Sequence, residues 1–374
     1  MESQATAIDT RRVHWYRCPI EPATLRELTS RSDLKGGIQA IGHLAVMGVT
    51  GALTVYCFLA ELWLAFALAL FAHGTVASNL HYACHELGHG TVFRTKWLNA
   101  AFLRIYSVLA WWNHHEYGMS HTHHHLYTLH PRGDREVVLP FAPAWTPLYL
   151  LQLFTLNLTG GMHTKGVKGH ILAMFTTAFG RYGPFFRPGW MKSLYAGRPR
   201  ARRSAVRWAR VVVLCHAGLA AACIASGYWI VAVVVSLGPV IANWHAYFVG
   251  GPMHCGLRDN VPDFRKCVRT ITLDPISEFL YWHMNWHLEH HMFAAVPCYN
   301  LAKLHRAVAH DMPEPRSFFG AWREIREIWR RQDVDPGYQF DTPVPAPSGS
   351  ATSTPDPEAA AIGDIAPREL RAAA

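Results

Sequence analysis

Histidine is concentrated in three short motifs of this 374-residue chain, which has 24 histidines in all. The first motif is HELGH, residues 85–89, and it fits the H-E-x-x-H pattern of zinc peptidases, in which Glu86 would be the general base. The second is SHTHHHLY, residues 120–127, and the third is NWHLEHHMF, residues 285–293. Residues of this type and spacing bind metal ions, either one zinc ion in a peptidase or several ions in a larger site.

The spacing within the motifs suits α-helices that present imidazoles. Residues at i, i+3 and i+4 share one face of a helix, so we expect each motif to aim its histidines in a common direction. A catalytic zinc ion takes three protein ligands and keeps one position open. Eight imidazoles are too many for one zinc but suit two ions that each keep a position for oxygen. The candidate ligands from the three motifs are His85, His89, His121, His124, His125, His287, His290 and His291.

The ligand type does not name the metal, because imidazole binds zinc, copper, iron and nickel alike. Iron is favoured by the chemistry that such a site could perform beside a lipid phase. Activation of O₂ against C–H bonds needs a redox metal, since no protein side chain performs it. We therefore expect two iron ions, with O₂ as a co-substrate.

Four apolar stretches must position these motifs. They are separated in pairs by short linkers, and each approaches the roughly 20 residues that a helix needs to cross a bilayer. Hydrophobic residues make up 50% of the chain and charged residues only 16%, which indicates a membrane protein. A buried hairpin in a soluble bundle is the alternative, but neither pair has a polar face. The predicted spans are about 39–57, 62–80, 208–226 and 228–248.

The distribution of charge predicts the orientation. The formal net charge is +9, which could suit nucleic acid, but nine Lys or Arg residues and no acidic residue lie between Arg181 and Arg210, directly before the third span. This is the positive-inside asymmetry, so we expect both termini, the central loop and all three motifs on the cytoplasmic side, and no binding to nucleic acid. The basic loop would contact anionic membrane lipid. No C-x-x-C occurs, so the eight cysteines are predicted to be reduced packing residues.

The chain is predicted to be an all-α integral membrane protein, with two transmembrane hairpins and a cytosolic helical cap that carries the metal site. An interfacial helix with its tryptophans at headgroup level is expected over 97–112. Stretches 141–160 and 168–180 are expected to lie in the membrane plane, with a third hairpin as the alternative. The expected units are a cytosolic lead over 1–38 with one helix near 22–32, a membrane domain over 39–310, a cytosolic C-terminal helix over 311–334 and a disordered tail over 335–374.

The motifs HELGH, HTHHH and HLEHH, placed between paired spans, resemble the three histidine boxes of the membrane fatty acid desaturase and hydroxylase superfamily, and the similarity covers roughly residues 40–310. The resemblance implies two iron ions held by these histidines. By position it adds His254, in GGPMHCGL, as a further ligand. It also makes Glu86 a hydrogen-bond acceptor behind the ligands, with His81 and His283 as candidates for the same outer layer.

The resemblance further implies an O₂-dependent oxidoreductase. HLEHHMFAAVPCYNLAKLH is similar to the end of bacterial acyl-lipid desaturases, so formation of a C=C bond in an acyl chain is the first hypothesis. Alternatives are hydroxylation, desaturation of a small metabolite such as a dihydrorhizobitoxine-like amino acid, oxidation of a carotenoid, a zinc peptidase and a nonenzymatic metal binder. Electrons should come from a separate ferredoxin, rubredoxin or cytochrome with its NAD(P)H reductase, and the expected location is a bacterial inner membrane.

Overall fold

The computed structural model describes residues 12–137, 145–160, 166–186 and 188–345, and these residues are mostly helical. Strand structure in the described part is confined to two residue pairs, β1 (Ile271–Thr272) and β2 (Arg316–Ser317), which lie side by side in parallel. The helices of the first half are α1 (Pro22–Leu28), α2 (Asp33–Leu59), α3 (Trp63–Ala77), α4 (Leu80–Gly88), α5 (Lys96–Leu109), α6 (His114–Tyr127) and α7 (Pro147–Phe154). Those of the second half are α8 (Ala173–Ala178), α9 (Pro188–Tyr195), α10 (Pro199–Ala225), α11 (Trp229–Leu237), α12 (Trp244–Gly250), α13 (Phe264–Cys267), α14 (Pro275–Leu280), α15 (His287–Met292), α16 (Leu301–Val308) and α17 (Phe318–Gln332).

Three helices are long and apolar enough to cross a membrane. They are α2, the nearly continuous helix Trp63–Gly88 formed by α3 and α4, and α10, with 27, 26 and 27 residues. At about 1.5 Å per residue each is about 40 Å long, which exceeds the roughly 30 Å hydrocarbon core. Large apolar side chains on α2 and α3, such as Leu53, Leu64 and Leu68, are exposed and would face lipid. Three of the four predicted spans therefore have a counterpart in the structure.

The predicted fourth span, a single helix over 228–248, is wrong. Helix α11 stops at Leu237, because Pro239 has no backbone N–H to continue the helical bonding. A single 3₁₀ turn follows, and Ala242 adopts a positive φ of 44°. The apolar helical stretch is thus Trp229–Val240, only 12 residues, before α12 begins in a new direction.

The break after α11 packs closely against the second span. A Cβ atom on Gly74 would lie 2.3 Å from the carbonyl oxygen of Ile241, so only glycine permits this approach. Histidines inside the spans are hydrogen-bonded, as expected for packing residues. The ring of His73 lies 3.2 Å from the carbonyl oxygen of Val234, and that of His216 lies 2.9 Å from the carbonyl oxygen of Val108.

A helix is found where the interfacial helix over 97–112 is predicted, as α5, Lys96–Leu109, but two of the three tryptophans in this range are buried. Trp111 and Trp112 are each only 5% exposed, whereas Trp97 is exposed. Trp111 has a positive φ of 51°, and this turn directs its ring onto His216, at a centroid distance of 3.8 Å. Of the three tryptophans only Trp97 is available to a membrane interface.

Between α6 and α9 the described residues form only short helices. Helix α7 has eight residues, and a π-helical turn, Lys168–Leu172, leads into the six-residue α8. None is long enough to cross a bilayer, so the alternative of a third hairpin finds no support in the described part. Residues 141–144 of the first predicted stretch, 141–160, lie outside the described residues.

The chain ends are more ordered than predicted. The helix expected near 22–32 is α1, with Pro22 in its first turn. The predicted disorder from 335 onward is wrong for 335–345, because the backbone N–H of Phe340 donates to the carbonyl of Gly256 at 2.8 Å and Lys266 lies 2.9 Å from Asp341. The remainder of the tail, 346–374, lies outside the described residues.

Candidate metal centre

Nine buried histidines converge into two adjacent groups, and in each group the ligand nitrogens all lie within 4.8 Å of one another. They come from α4, α6, α15 and the turn after α12. The structure therefore brings together every histidine that the sequence analysis selected as a metal ligand. The five-histidine group is His85, His89, His121, His125 and His290, and the four-histidine group is His124, His254, His287 and His291.

The second and third motifs each divide between the two groups, which differs from the expected common direction. In α6, His121 and His125 are four residues apart and stay together, whereas His124 points to the other group. Consecutive residues on a helix diverge by about 100°, so neighbouring histidines cannot face one point. In α15 the same rule places His290 and His291 in different groups.

Distances within the five-histidine group fit a shared metal ion. Nε2 of His85 lies 2.9 Å from Nε2 of His290 and 3.2 Å from Nε2 of His89, and Nε2 of His121 lies 2.9 Å from Nε2 of His125. Two nitrogens bound at about 2.1 Å to one ion and at a right angle are about 3 Å apart. The donor atoms therefore already have the separations of ligands that share an ion.

The four-histidine group has the same geometry. Nε2 of His287 lies 3.0 Å from Nε2 of His254 and 3.1 Å from Nε2 of His291. The ring of His124 stands nearly perpendicular to those of His254 and His291, at centroid distances of 4.9 and 4.8 Å. His254, the residue selected from its position in GGPMHCGL, thus lies among histidines of the second and third motifs.

Several ring nitrogens that point away from the groups are held by neighbours. Nδ1 of His124 lies 2.8 Å from a carboxylate oxygen of Asp134, and Nδ1 of His121 lies 2.9 Å from one of Glu136. The carbonyl of Cys267 is 3.0 Å from Nδ1 of His254. Such contacts fix the tautomer, so that Nε2 is presented to the metal. Two further candidate ligands contact hydroxyl groups in the same way. Nδ1 of His85 lies 2.7 Å from the hydroxyl of Tyr117, and Nδ1 of His291 lies 3.1 Å from that of Thr128.

A family model described as fatty acid desaturase matches residues 61–322. The chain belongs to this family. The matched range contains both histidine groups. None of the curated proteins that were compared with this chain matches the chain. Membership of this family implies an oxidoreductase associated with a membrane, and the histidine clusters could bind metal. This membership contradicts the zinc peptidase alternative, which also assigns no function to seven of the nine histidines.

Most of these imidazoles are kept neutral by the surrounding protein, as metal ligation requires. Burial and the neighbouring imidazoles hold the pKa values of His121, His287 and His291 well below the usual value. His124 is different: burial lowers its pKa, but the charge of Asp134 and the hydrogen bond between them outweigh burial and raise it. His124 is therefore the most basic of these four imidazoles.

Glu86 lies between candidate ligands and has no hydrogen bond of its own in the described residues. Its side chain is fully buried, and Oε1 lies 3.5 Å from Nδ1 of His290 and 3.8 Å from Nε2 of His85. Nδ1 of His290 likewise has no hydrogen-bond partner in this part of the chain. The position suits the role predicted for Glu86, an acceptor for a ligand N–H.

The other two residues predicted for this outer layer make different contacts. Nδ1 of His81 lies 2.8 Å from the carbonyl of Ser78, and its ring stacks with Trp112. Nδ1 of His283 lies 2.9 Å from Glu278. These contacts attach His81 and His283 to neighbouring helices, and we assign neither to the metal centre.

The carboxylates that hold the candidate ligands are not among the residues predicted from the sequence. Asp134 and Glu136 follow the second motif in the loop PRGDRE, and only their acidic character near a histidine motif could have indicated them. Glu289 lies inside the third motif and is fully buried. Its carboxylate accepts from Thr270 at 2.5 Å and lies 2.6 Å from Nδ1 of His305, which fixes α15 against α16.

A cavity of about 310 Å³ adjoins the five-histidine group. His85, Tyr117 and His121 form part of its wall, and the rest comes largely from α4, α5 and the start of α6. The ring of Tyr117 stacks on that of His121 at a centroid distance of 4.8 Å, while its hydroxyl contacts His85. A substrate in this cavity would therefore lie directly against two candidate ligands of one metal ion.

Proposed function

We propose that this protein is an O₂-dependent desaturase that holds two iron ions with its nine clustered histidines and introduces a C=C bond into an acyl chain. One observation carries the proposal. Two adjacent buried groups of imidazole donors have donor separations near 3 Å, and one of them adjoins a cavity large enough for a ligand. Family membership supports the reaction class.

The donor set fits iron in two positions. Five and four imidazoles exceed what one zinc ion binds, and the division of α6 and α15 between both groups supports two ions rather than one. The carboxylates of Asp134 and Glu136 contact ligand rings and not the interior of the groups. They would strengthen His124 and His121 as ligands without occupying a position for oxygen.

The bound metal would supply the activation of O₂ that removes hydrogen from a C–H bond. Each turnover would remove two hydrogen atoms from the substrate and take two electrons from the carrier and two protons from solvent, and both oxygen atoms would leave as water. The residues of the chain hold the substrate carbon against the wall formed by His85 and His121. Leu87 and Leu103 line the same cavity, which would exclude water from the reacting carbon.

Electrons would come from a separate carrier, a ferredoxin, rubredoxin or cytochrome served by an NAD(P)H reductase. The basic stretch between Arg181 and Arg210 supports an active site on the cytoplasmic side of a bacterial inner membrane. Helix α2 begins at Asp33, the helix formed by α3 and α4 ends at Gly88, and α10 begins at Pro199. If the three helices cross the bilayer in alternating directions, these three ends lie on one side of it. That side would carry the metal centre.

The proposal is tested by metal analysis and by product analysis together. Protein purified after growth in iron should contain two iron ions per chain and little zinc, and its O₂ uptake should depend on an added reductant. Lipid and metabolite profiles with the gene on and off should show a product lacking two hydrogens. A product that has gained one oxygen atom would instead assign hydroxylation, and a single zinc ion without O₂ uptake would refute the proposal.

A further inference from the structure

His254 is held differently from the other clustered histidines, because it lies in the turn that follows α12. Of the nine histidines that cluster in the described residues, seven lie within helices and His89 caps α4. Helix α12 ends at Gly250, four residues before His254. A turn positions a side chain less rigidly than a helix does. The place of His254 in the four-histidine group therefore depends on the contacts of this turn with the rest of the chain.

Arg269 binds the backbone on both sides of His254. Its guanidinium donates to the carbonyl of Pro252 and to that of Cys255, the latter at 3.2 Å from each of Nη1 and Nη2. Its backbone N–H donates to the carbonyl of Met253 at 2.8 Å. The carbonyls of residues 252, 253 and 255 thus all accept from one residue. The turn that carries His254 is closed around this arginine.

Glu324 of α17 fixes the guanidinium of Arg269 in this position. Its Oε1 accepts from Nε of Arg269 at 3.0 Å and from Nη2 at 2.8 Å, and its Oε2 accepts from Nε of Arg316 at 2.8 Å. Arg269 is only 6% exposed. A guanidinium has five N–H groups, and the contacts with Glu324 and the two carbonyls use all of them. The buried side chain therefore has one well-defined orientation.

Helix α17 also touches the turn directly. Gly256 has a positive φ of 71°, and a Cβ atom there would lie 2.7 Å from Cγ2 of Ile328, so a larger residue would press against α17. Glu324 and Ile328 both lie beyond the range 61–322 that matches the family model. Helix α17 thus forms the outer wall of the His254 turn, although it contributes none of the clustered histidines.

We propose that Arg269 is a positioning residue for the metal centre: held by Glu324, it fixes His254 in the four-histidine group and so sets the affinity of that group for its ion. This inference rests on the proposed function, because it takes the four-histidine group as the site of one of two metal ions. It differs from a general contribution to stability in one respect. Loss of Arg269 should weaken one ion and not the other, because the five-histidine group has no ligand in this turn.

Arg269→Lys tests the proposal while keeping the positive charge. A lysine has three donors on one nitrogen and cannot bridge Glu324 and two carbonyl groups. The full-length protein is purified in detergent and loaded with iron enriched in the Mössbauer isotope. Chelator competition should show one ion bound about 10–100-fold more weakly than in wild type, the usual effect of losing support behind a ligand. The Mössbauer spectrum of the remaining ion should match that of His254→Ala, in which the ligand itself is removed.

Two further variants separate positioning from stability. Arg316→Gln is the matched control, because Arg316 pairs with the other oxygen of Glu324 and its printed side-chain partners in the described residues are Glu324 and the carbonyl of Glu314. It should keep both ions at wild-type affinity, even where the melting temperature of the metal-free protein falls as far as in Arg269→Lys. Glu324→Gln keeps Arg269 but removes its counter-charge, and it should weaken the same ion as Arg269→Lys.

The inference is overturned if Arg269→Lys keeps both ions at wild-type affinity, if it weakens both ions equally, or if Arg316→Gln loses as much metal as Arg269→Lys. Loss of the metal-free fold in both Arg269→Lys and Glu324→Gln would also overturn it, since the pair would then serve the fold alone. Failure of the proposed function would look different. A wild type that holds two zinc ions, or two iron ions without forming a C=C bond, would refute that function, yet selective loss of one ion in Arg269→Lys would still support the role of Arg269.

Discussion

Replacing Asp134 by Asn should remove metal from one histidine group in preference to the other. Asp134 is 1% exposed, and its carboxylate accepts from Nδ1 of His124 at 2.8 Å, from the backbone N–H of Leu129 at 3.0 Å and from that of Glu136 at 2.9 Å. An amide has one oxygen and cannot accept from all three donors. The variant also removes the charge that raises the pKa of His124, so His124 becomes a weaker ligand.

The magnitude follows from the kind of contact that is lost. Loss of a carboxylate behind a ligating histidine typically weakens metal binding about 10–100-fold, or about 1.4–2.7 kcal/mol. Asp134 contacts His124 alone among the nine histidines, and His124 belongs to the four-histidine group. We therefore expect Asp134→Asn to lose about one of the two ions. Glu136→Gln should act on the five-histidine group instead, through His121.

Iron content and chelator competition, measured on purified protein, check this prediction. Wild type should release iron in one slow process, and each variant should show one weakened ion with the other retained. Glu314→Gln is a matched control, because Glu314 is exposed and lies outside the centre. The melting temperature of the metal-free proteins separates a folding defect from a binding defect. Equal loss of both ions from Asp134→Asn, with the metal-free fold intact, would refute the assignment of His124 to a separate group.

Three further predictions concern other parts of the chain. Glu86→Gln should keep substantial O₂-dependent activity, since an amide oxygen can still accept from a ligand N–H, and near-complete loss would argue for a general base. Burial, opposed by Arg202, raises the pKa of Glu116 to about 7. The folded protein thus holds a proton that the unfolded chain releases, and thermal unfolding should show wild type losing stability relative to Glu116→Gln as pH rises from about 4.5 to above 7. Removing 346–374 should leave the melting temperature unchanged, whereas removing 335–374 should lower it, because residues 340–342 pack on the domain.

The ligand histidines could be selected from the sequence because their chemistry is local. A spacing of four residues recurs in each motif, with a spacing of three as well in the second and third, and a metal site is the simplest use for so many imidazoles. The division into two groups was missed although helix geometry contains it. His124 and His125 diverge by about 100° on α6, so two neighbouring histidines had to serve different centres. His254 required the family resemblance, since one isolated histidine has no spacing to indicate it.

The wrong prediction of a fourth transmembrane span over 228–248 also has a local cause. The mean hydropathy over 228–248 is high and hides the sequence Gly238-Pro239, where the helix ends. Asp134 and Glu136 could not be predicted from the sequence, because their contribution to the site is not local. Their effect depends on a turn that brings residues 134 and 136 back to α6. The Pro, Gly and Asp of PRGDRE indicate a turn, but they do not specify which side chains that turn places against α6. Side chains that act through another residue are found only when the distance is known.

Helices α6 and α15 each contribute histidines to both groups, so the positions of the two groups cannot change independently. Helix α6 contributes His121 and His125 to one group and His124 to the other, and α15 contributes in the opposite proportion. A shift or rotation of either helix therefore displaces donors of both groups together. Asp134 and Glu136, which follow α6 in one loop, each hold a ring of a different group. The loop after α6 is accordingly the element on which the relative position of the two centres depends most directly, although it contributes no ligand.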